Sequence, residues 1–413
     1  LYLGEENFYN KRRRTNATNK NLNIAAKLDI SPIRDLDITF GTSIYLADAK
    51  IYSRSNSLFN YENNGRQKYG SYRVYGRLTQ KFRSNDEDSE KKAFLRNPYY
   101  TIQVDYTSFH IQSGDDNHWQ NYFDYGYIGN FDISPNKYYS WGVDSVTGLE
   151  TNCMETFFYE VNSYEAGNLN PLLGNYTTQF YDYMGNSFPT MYTTYIQMYG
   201  GLLNGEGPAS IYGMWQVPGV PYSSYAKSDA TQLRVSASAA ADLGGHELSI
   251  GFEFEQRKDS YFGISAYGLW GLARSLTNSH IEEIDKTNPI VYRDDNGLFL
   301  DTIDYPRIYN ASTQKRFDKH LREALGLAVD GTDWINIDSY DPSTFDLNWF
   351  SPDELFNQGS SYVGYYGYDY AGNKLNYKPT FEDFFTKDAD NDGFLDRPIA
   401  PFEPTYIAVY IQD

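Results

Sequence analysis

The sequence predicts an all-β fold, a partial transmembrane antiparallel β-barrel of about seven strands with very long extracellular loops containing short helices. Three observations predict it. Long segments alternate strictly between apolar and polar residues, the period of a strand with one dry and one wet face. The connections alternate between short and long, which gathers every long connection at one end of the sheet. Aromatic residues make up 17% of the chain but hydrophobic residues only 40%, so much of the apolar area sits on amphipathic rings.

The strands follow in order. Leu22, Ile24, Ala26, Leu28 and Ile30 share one face of the first, opposite Asn23, Lys27 and Asp29. After a turn in Ser31–Asp35, the second puts Leu36, Ile38, Phe40, Thr42 and Ile44 on one face. The third sets Tyr72, Val74, Gly76 and Leu78 against Arg73, Tyr75, Arg77 and Thr79. A charged link around Ser84–Lys92 leads to the fourth, with Tyr100, Ile102, Val104 and Tyr106 on one face. The fifth (Leu233, Val235, Ala237, Ala239) turns back at Gly244–Gly245 into the sixth (Leu248, Ile250, Phe252, Phe254). The seventh begins at Thr405. Most of these approach or exceed the ~9–11 residues that cross a bilayer at a tilt, against ~5–6 for an ordinary strand.

The long connections span 48–68, 114–228 and 258–403, and are expected outside the cell, so that 1–413 is a fragment of one barrel domain. A soluble β-sandwich accounts for the alternation equally well, but poorly for one-ended loops and long strands. Within the last connection, "STQKRFDKHLREALGLAVDG" reads as a helix capped by Ser312 or Thr313, with Phe317, Leu321, Ala324, Leu325 and Ala328 on one stripe. "FSPDELF" reads as another, with Ser351 as N-cap and Pro352 at the first helical position.

Several classes are excluded. A formal charge of −19 argues against nucleic acid, whose phosphates need a basic stripe. The single Cys153 excludes an internal disulfide framework. No apolar run reaches the ~18 residues of a membrane helix. The start at Leu1, without a leader, and the end inside an unfinished strand, "YIAVYIQD", read as cuts from something longer. The five His residues lack metal-site spacing, and no nucleophile elbow or phosphate-binding loop occurs, so no enzyme is expected.

The sharpest motif is "KDADNDGFLD". Asp388, Asp390, Asp392 and Gly393 take positions 1, 3, 5 and 6 of a calcium loop, and Asp396 takes position 9. Alternating carboxylates on a sharp turn converge hard oxygens on one point. Ile399 replaces the acid at position 12, so a structural Ca2+ with weak affinity is expected; the alternative is an acidic turn without an ion. Aromatic clusters in the outer loops supply candidate ligand-stacking residues: Trp119, Tyr122, Tyr125, Tyr127, Tyr365 and Tyr366. Their alternative role is to pack the loops together.

The stretches "NLNIAAKLDISPIRDLDITFG", "HELSIGFEFEQR", "SSYVGYYGYDYAGNKL" and "PTFEDFFTKDADNDGFLDRPIAPFEPTYIAVYIQD" resemble the TonB-dependent outer-membrane receptors of Bacteroidota. The likeness is greatest to the group with a carboxypeptidase-regulatory-like domain and a plug, and weaker across 114–227. It implies a 22-stranded barrel that takes up a large glycan, peptide or chelate. The implied partners are outer-membrane lipid, TonB through a plug this sequence lacks, and a surface lipoprotein. The other classes are a secreted calcium-binding β-sandwich adhesin and a surface glycan-binding module.

Overall fold

The structure, a computed structural model, describes residues 4–8, 10–82, 95–184 and 192–413. The link around Ser84–Lys92 and Met191 lie outside the described residues. The chain is mostly β, built on two sheets.

Twelve strands occur among the described residues: β1 (Asn19–Ile33), β2 (Leu36–Ile51), β3 (Gly65–Lys81), β4 (Leu95–Gly114), β5 (Gly129–Val143), β6 (Glu150–Ala166), β7 (Tyr225–Leu243), β8 (His246–Ile264), β9 (Ile290–Arg293), β10 (Phe299–Asp304), β11 (Val363–Tyr366) and β12 (Thr405–Gln412). The seven expected strands are β1–β4, β7, β8 and β12. With β11 they form one eight-stranded sheet, ordered β1-β2-β3-β4-β7-β8, in which β12 and β11 both pair with β8. Every pairing is antiparallel. The sheet is open, with β1 at one edge. Its six long strands run from 15 to 20 residues, so the expected connections shorten to 52–64, 115–224 and 265–404.

The turns show where local chemistry decides. Gly244 and Gly245 both have positive φ (58° and 106°), closing a two-residue hairpin between Leu243 and His246. The first turn is Arg34–Asp35, with Asp35 at φ 67°, the last two residues of the expected Ser31–Asp35 turn. Pro32 stays within β1, where the register shifts between Ile30 and Ile33. An edge strand tolerates a proline because its outward N–H needs no ladder partner.

The second sheet, β5-β6-β10-β9, belongs wholly to the connections and was not expected. Bulges at Asp132/Ile133 and Tyr138/Tyr139 flip its alternation twice, which erases the period-two signal. Six α-helices occur among the described residues: α1 (Pro171–Met184), α2 (Thr193–Met198), α3 (Leu269–Leu276), α4 (Arg316–Ala324), α5 (Pro352–Phe356) and α6 (Asp383–Thr386). For α5 the expected cap holds, since Ser351 Oγ accepts from Glu354 N and Glu354 Oε2 accepts from Ser351 N at 2.8 Å. For α4 it does not: the N-cap is Lys315, without a side-chain bond. Glu354 Oε1 instead accepts from Arg316 N at 2.7 Å, so one carboxylate serves the start of both helices. Phe317 and Leu321 are buried as the stripe requires, but the helix ends before Leu325 and Ala328.

The main hydrophobic core lies in the connections. Phe317 stacks on Phe350 at 4.3 Å and Phe123 on Phe345 at 4.9 Å, and Trp270 Nε1 donates to Phe123 O at 2.7 Å. Only the upper ends of β7, β8 and β11 enter this cluster, through Tyr225, Phe262, Ile264, Val363 and Tyr365.

Candidate membrane-contact surface and ligand-facing loops

Register converts the alternation into two faces. One row crosses seven strands as Leu28, Phe40, Gly76, Val104, Val235, Phe254 and Ile407. A parallel row on the same face reads Ile30, Ile38, Leu78, Ile102, Ala237, Phe252 and Val409. These side chains stand in the open: Phe40 is 55% exposed and Val409 77%. The strand spacing of ~4.8 Å and rise of ~3.4 Å give a patch on the order of 800 Å², where a soluble monomer's largest is about 300–600 Å². Around Gly76, which puts no side chain between Phe40 and Val104, the face sinks into an apolar depression of about 660 Å³.

The opposite face carries Asp29, Thr39, Arg77, Gln103, Ser236 and Glu253 in one row, and Lys27, Gly41, Tyr75, Asp105, Arg234 and Glu255 in the next. Here the groups pair with one another. Arg73 Nε and Gln103 Nε2 each donate to Asp105 at 2.6 Å, Arg77 Nε donates to Gln103 at 2.7 Å, and Arg234 meets Glu253 at 2.8 Å. Asp105 is 4% exposed, more covered than any residue of the apolar rows above. Two tyrosines lie flat along this face: a Cβ on Gly41 would sit 2.2 Å from the Tyr75 ring, and one on Gly251 would meet Tyr410 as closely. Glycine lets the rings lie flat at both places, and a Cβ would push them aside.

The apolar face has a definite upper limit. Toward the long connections the row through Leu22, Leu46 and Gly70 already turns polar at His110 and Asp229, and the next row is Lys20, Asp48, Lys68, Gln112 and Lys227. Below it, Leu36 to Leu46 covers about 34 Å of strand, or about 25 Å in height at a barrel tilt of ~35–45°. Above it, Arg66 Nε donates to Asp48 at 2.7 Å, and Lys50 and Arg66 both pair with Asp116.

The six expected stacking residues have other surroundings. Tyr125, Tyr127 and Tyr365 are buried: Tyr125 donates to Trp119 O at 2.7 Å, Tyr127 stacks on Trp270, and Tyr365 stacks on Phe356 and donates to Arg397 O. Burial pushes the phenols of Tyr125 and Tyr365 up. Tyr366 stacks on Tyr261, and Trp119 lies under the Lys68 ammonium at 4.7 Å. Tyr122 packs against Tyr225 and lines a cleft of about 510 Å³ with Asp124, Asp341 and Asp346. A pair absent from the expected set, Tyr159 and Trp334, stacks at 5.2 Å beside Arg274, Glu282 and Asn336 in a cavity of about 280 Å³. No local motif marks that pair, because its members lie far apart in sequence.

The acidic loop brings the oxygens of Asp388, Asp390 and Asp392 within 4.8 Å of one another. Asp388 accepts from Asp392 N at 3.2 Å and Gly393 N at 3.0 Å, which curls the turn. Asp396 stands apart, its Oδ2 accepting from Ala389 N at 3.0 Å. A cation already reaches the loop: Arg316 contacts Asp392 and lies 3.1 Å from Asp390, while donating to Asn348 O and Phe350 O. Burial pushes the Asp392 carboxyl up, but the bonds from Arg316 and Phe394 N outweigh it and hold it below the ordinary range. Burial raises Asp396, opposed by the Ala389 bond and reinforced by Asp390 and Asp388. The chemistry of the donor set, three clustered carboxylates, suits a hard divalent ion.

Comparison with known families, with curated proteins and with solved structures finds no match.

Proposed function

We propose that this chain is part of an outer-membrane TonB-dependent receptor that takes up a large ligand. In this reading the apolar rows face lipid, the polar rows face the barrel lumen, and the long connections form an extracellular body. One observation carries the membrane part: the chain builds its core in the connections and leaves the seven-strand apolar face uncovered, with a network of paired polar groups behind it. Water makes such a face costly, whereas lipid makes it free of cost. The height of about 25 Å and the charged row above it fit the apolar band of an outer-membrane barrel.

The receptor part rests on the sequence resemblance and on the Tyr159–Trp334 cavity, whose aromatic wall and polar rim suit a glycan or peptide group. The acidic loop is proposed as a structural calcium site held by Asp388, Asp390 and Asp392. Arg316 offsets one negative charge of the four aspartates, and a divalent ion would offset two more.

Fractionation tests the membrane part. The full-length protein should remain with membranes after an alkaline carbonate wash and need detergent to stay monodisperse. A monodisperse protein in buffer alone would favour the adhesin or glycan-binding module.

A further inference from the structure

Just before β1 the sequence runs Lys11, Arg12, Arg13, Arg14, four consecutive cations in a chain of formal charge −19. This segment folds over the β2–β3 connection and encloses a cavity of about 400 Å³. Lys11, Arg13 and Arg14 supply its charge, and Phe8, Leu58 and Phe59 supply its apolar walls. The Arg14 guanidinium lies 4.1 Å from the centre of the Tyr52 ring, and the Lys11 ammonium 5.8 Å from that of Tyr61. Aromatic faces orient cations without cancelling their charge.

Elsewhere in the molecule arginines are commonly neutralised. Arg66 sits between Asp48 and Asp116, Arg316 against Asp390 and Asp392, and Arg397 against Asp353. Among the described residues no carboxylate pairs with Arg12, Arg13 or Arg14, and none lines the cavity. The charge of Arg13 and Arg14 is thus left without a carboxylate beside exposed carbon, for Phe8 is 45% and Leu58 41% exposed. The cavity also lies at the long-connection end of the sheet, where the apolar rows give way to Lys20, Asp48 and Lys68.

We propose that Arg13 and Arg14 bind the phosphate of a lipid headgroup at the boundary of the apolar face. This rests on the membrane reading above. Guanidinium groups match phosphate oxygens in bidentate geometry, and basic side chains near a bilayer surface draw anionic headgroups. A free phosphate ion would satisfy the cations equally well, but it would leave Phe8 and Leu58 in water. An amphiphile covers both.

The test uses the full-length protein in phosphatidylcholine nanodiscs, titrated with bisphosphorylated lipid A, with the same lipid dephosphorylated, and with inorganic phosphate. Lipid retention is read by native mass spectrometry. The phosphorylated lipid should bind about tenfold or more tightly than its dephosphorylated form, and Arg13→Gln/Arg14→Gln should remove that preference. Arg12→Gln, outside the cavity, should keep it and so controls for general charge. Equal retention by the double variant, or displacement of the lipid by millimolar inorganic phosphate, overturns the proposal. Insertion into the nanodisc with no headgroup preference removes this site alone. Failure to insert removes the membrane reading and this site together.

Discussion

Phe350, in the connections, is fully buried between Phe317 and Phe123, while Phe40, on β2, is 55% exposed in the middle of an apolar row. The same side chain thus meets close-packed rings in one region and no protein atoms over much of its surface in the other. In a water-soluble protein the sheet's apolar face would be the natural seed of the core. Here the division is inverted: the long strands form a wall, and the connections fold into a body with a core of their own. On the proposed membrane reading, the difference means that two solvents shaped the chain. Substitutions in the two regions should therefore respond to different surroundings.

The largest effect is expected in the loop core. Phe350→Ala should cost about 3–5 kcal/mol of loop stability, read by denaturant titration followed by tryptophan fluorescence. Phe40→Ala in bilayers should cost about 1 kcal/mol or less, because lipid fills the space a methyl cannot. Comparable large losses at both sites would mean that protein covers the strand face. On the sheet itself, Ile250→Arg should lower assembly by about 2–4 kcal/mol, while Ser249→Arg, on the polar face, should be tolerated. Equal yields of folded protein from the two variants would erase the distinction between the faces.

Within the connections, Arg316→Gln should destabilise by about 1–3 kcal/mol, since it removes charged hydrogen bonds to Asp390, Asp392 and two backbone carbonyls. Millimolar calcium should restore part of the lost melting temperature, and Asp390→Ala should abolish that rescue. Absence of any calcium response would leave an acidic turn held by Arg316 without an ion.

The smallest effect concerns pH. Asp304 is buried in the second sheet, where Lys137, Tyr139 and Tyr292 converge on it. Burial pushes its carboxyl up, but those three partners outweigh burial and hold it below the ordinary range. Its contribution is therefore full above the unfolded value of ~3.9 and is lost as pH falls through the lower folded value. Protection against hydrogen exchange in β5 and β10 should fall below about pH 4 in the native protein, and that fall should be smaller in Asp304→Asn.

The eight-stranded sheet was largely legible because register there is slip-free over long stretches. The row through Leu28, Phe40 and Val104 is what strict alternation becomes when strands pair in phase. The second sheet was illegible because its bulges break the period and β10 pairs in parallel with β6, a partner remote in sequence. The acidic loop was half legible. Its three leading aspartates converge as the spacing requires, but Asp396 turns away, and the approach of Arg316 from α4 leaves no trace in the motif. The aromatic clusters misled for a physical reason: a Tyr run has the same composition whether its rings bind ligand or, as with Tyr125 and Tyr365, pack a loop.

Spin-label accessibility tests the central claim most directly. Single cysteines at Val74, Val104 and Phe252, and at Arg73, Gln103 and Glu253, would be introduced into full-length protein lacking Cys153 and labelled in bilayers. The first three should collide with oxygen, which concentrates in lipid, and the second three with a water-soluble nickel chelate. Alternation between the two reagents along β3, β4 and β8 is the predicted result. Nickel accessibility at Val74, Val104 and Phe252 equal to that of their neighbours would contradict a lipid-facing sheet.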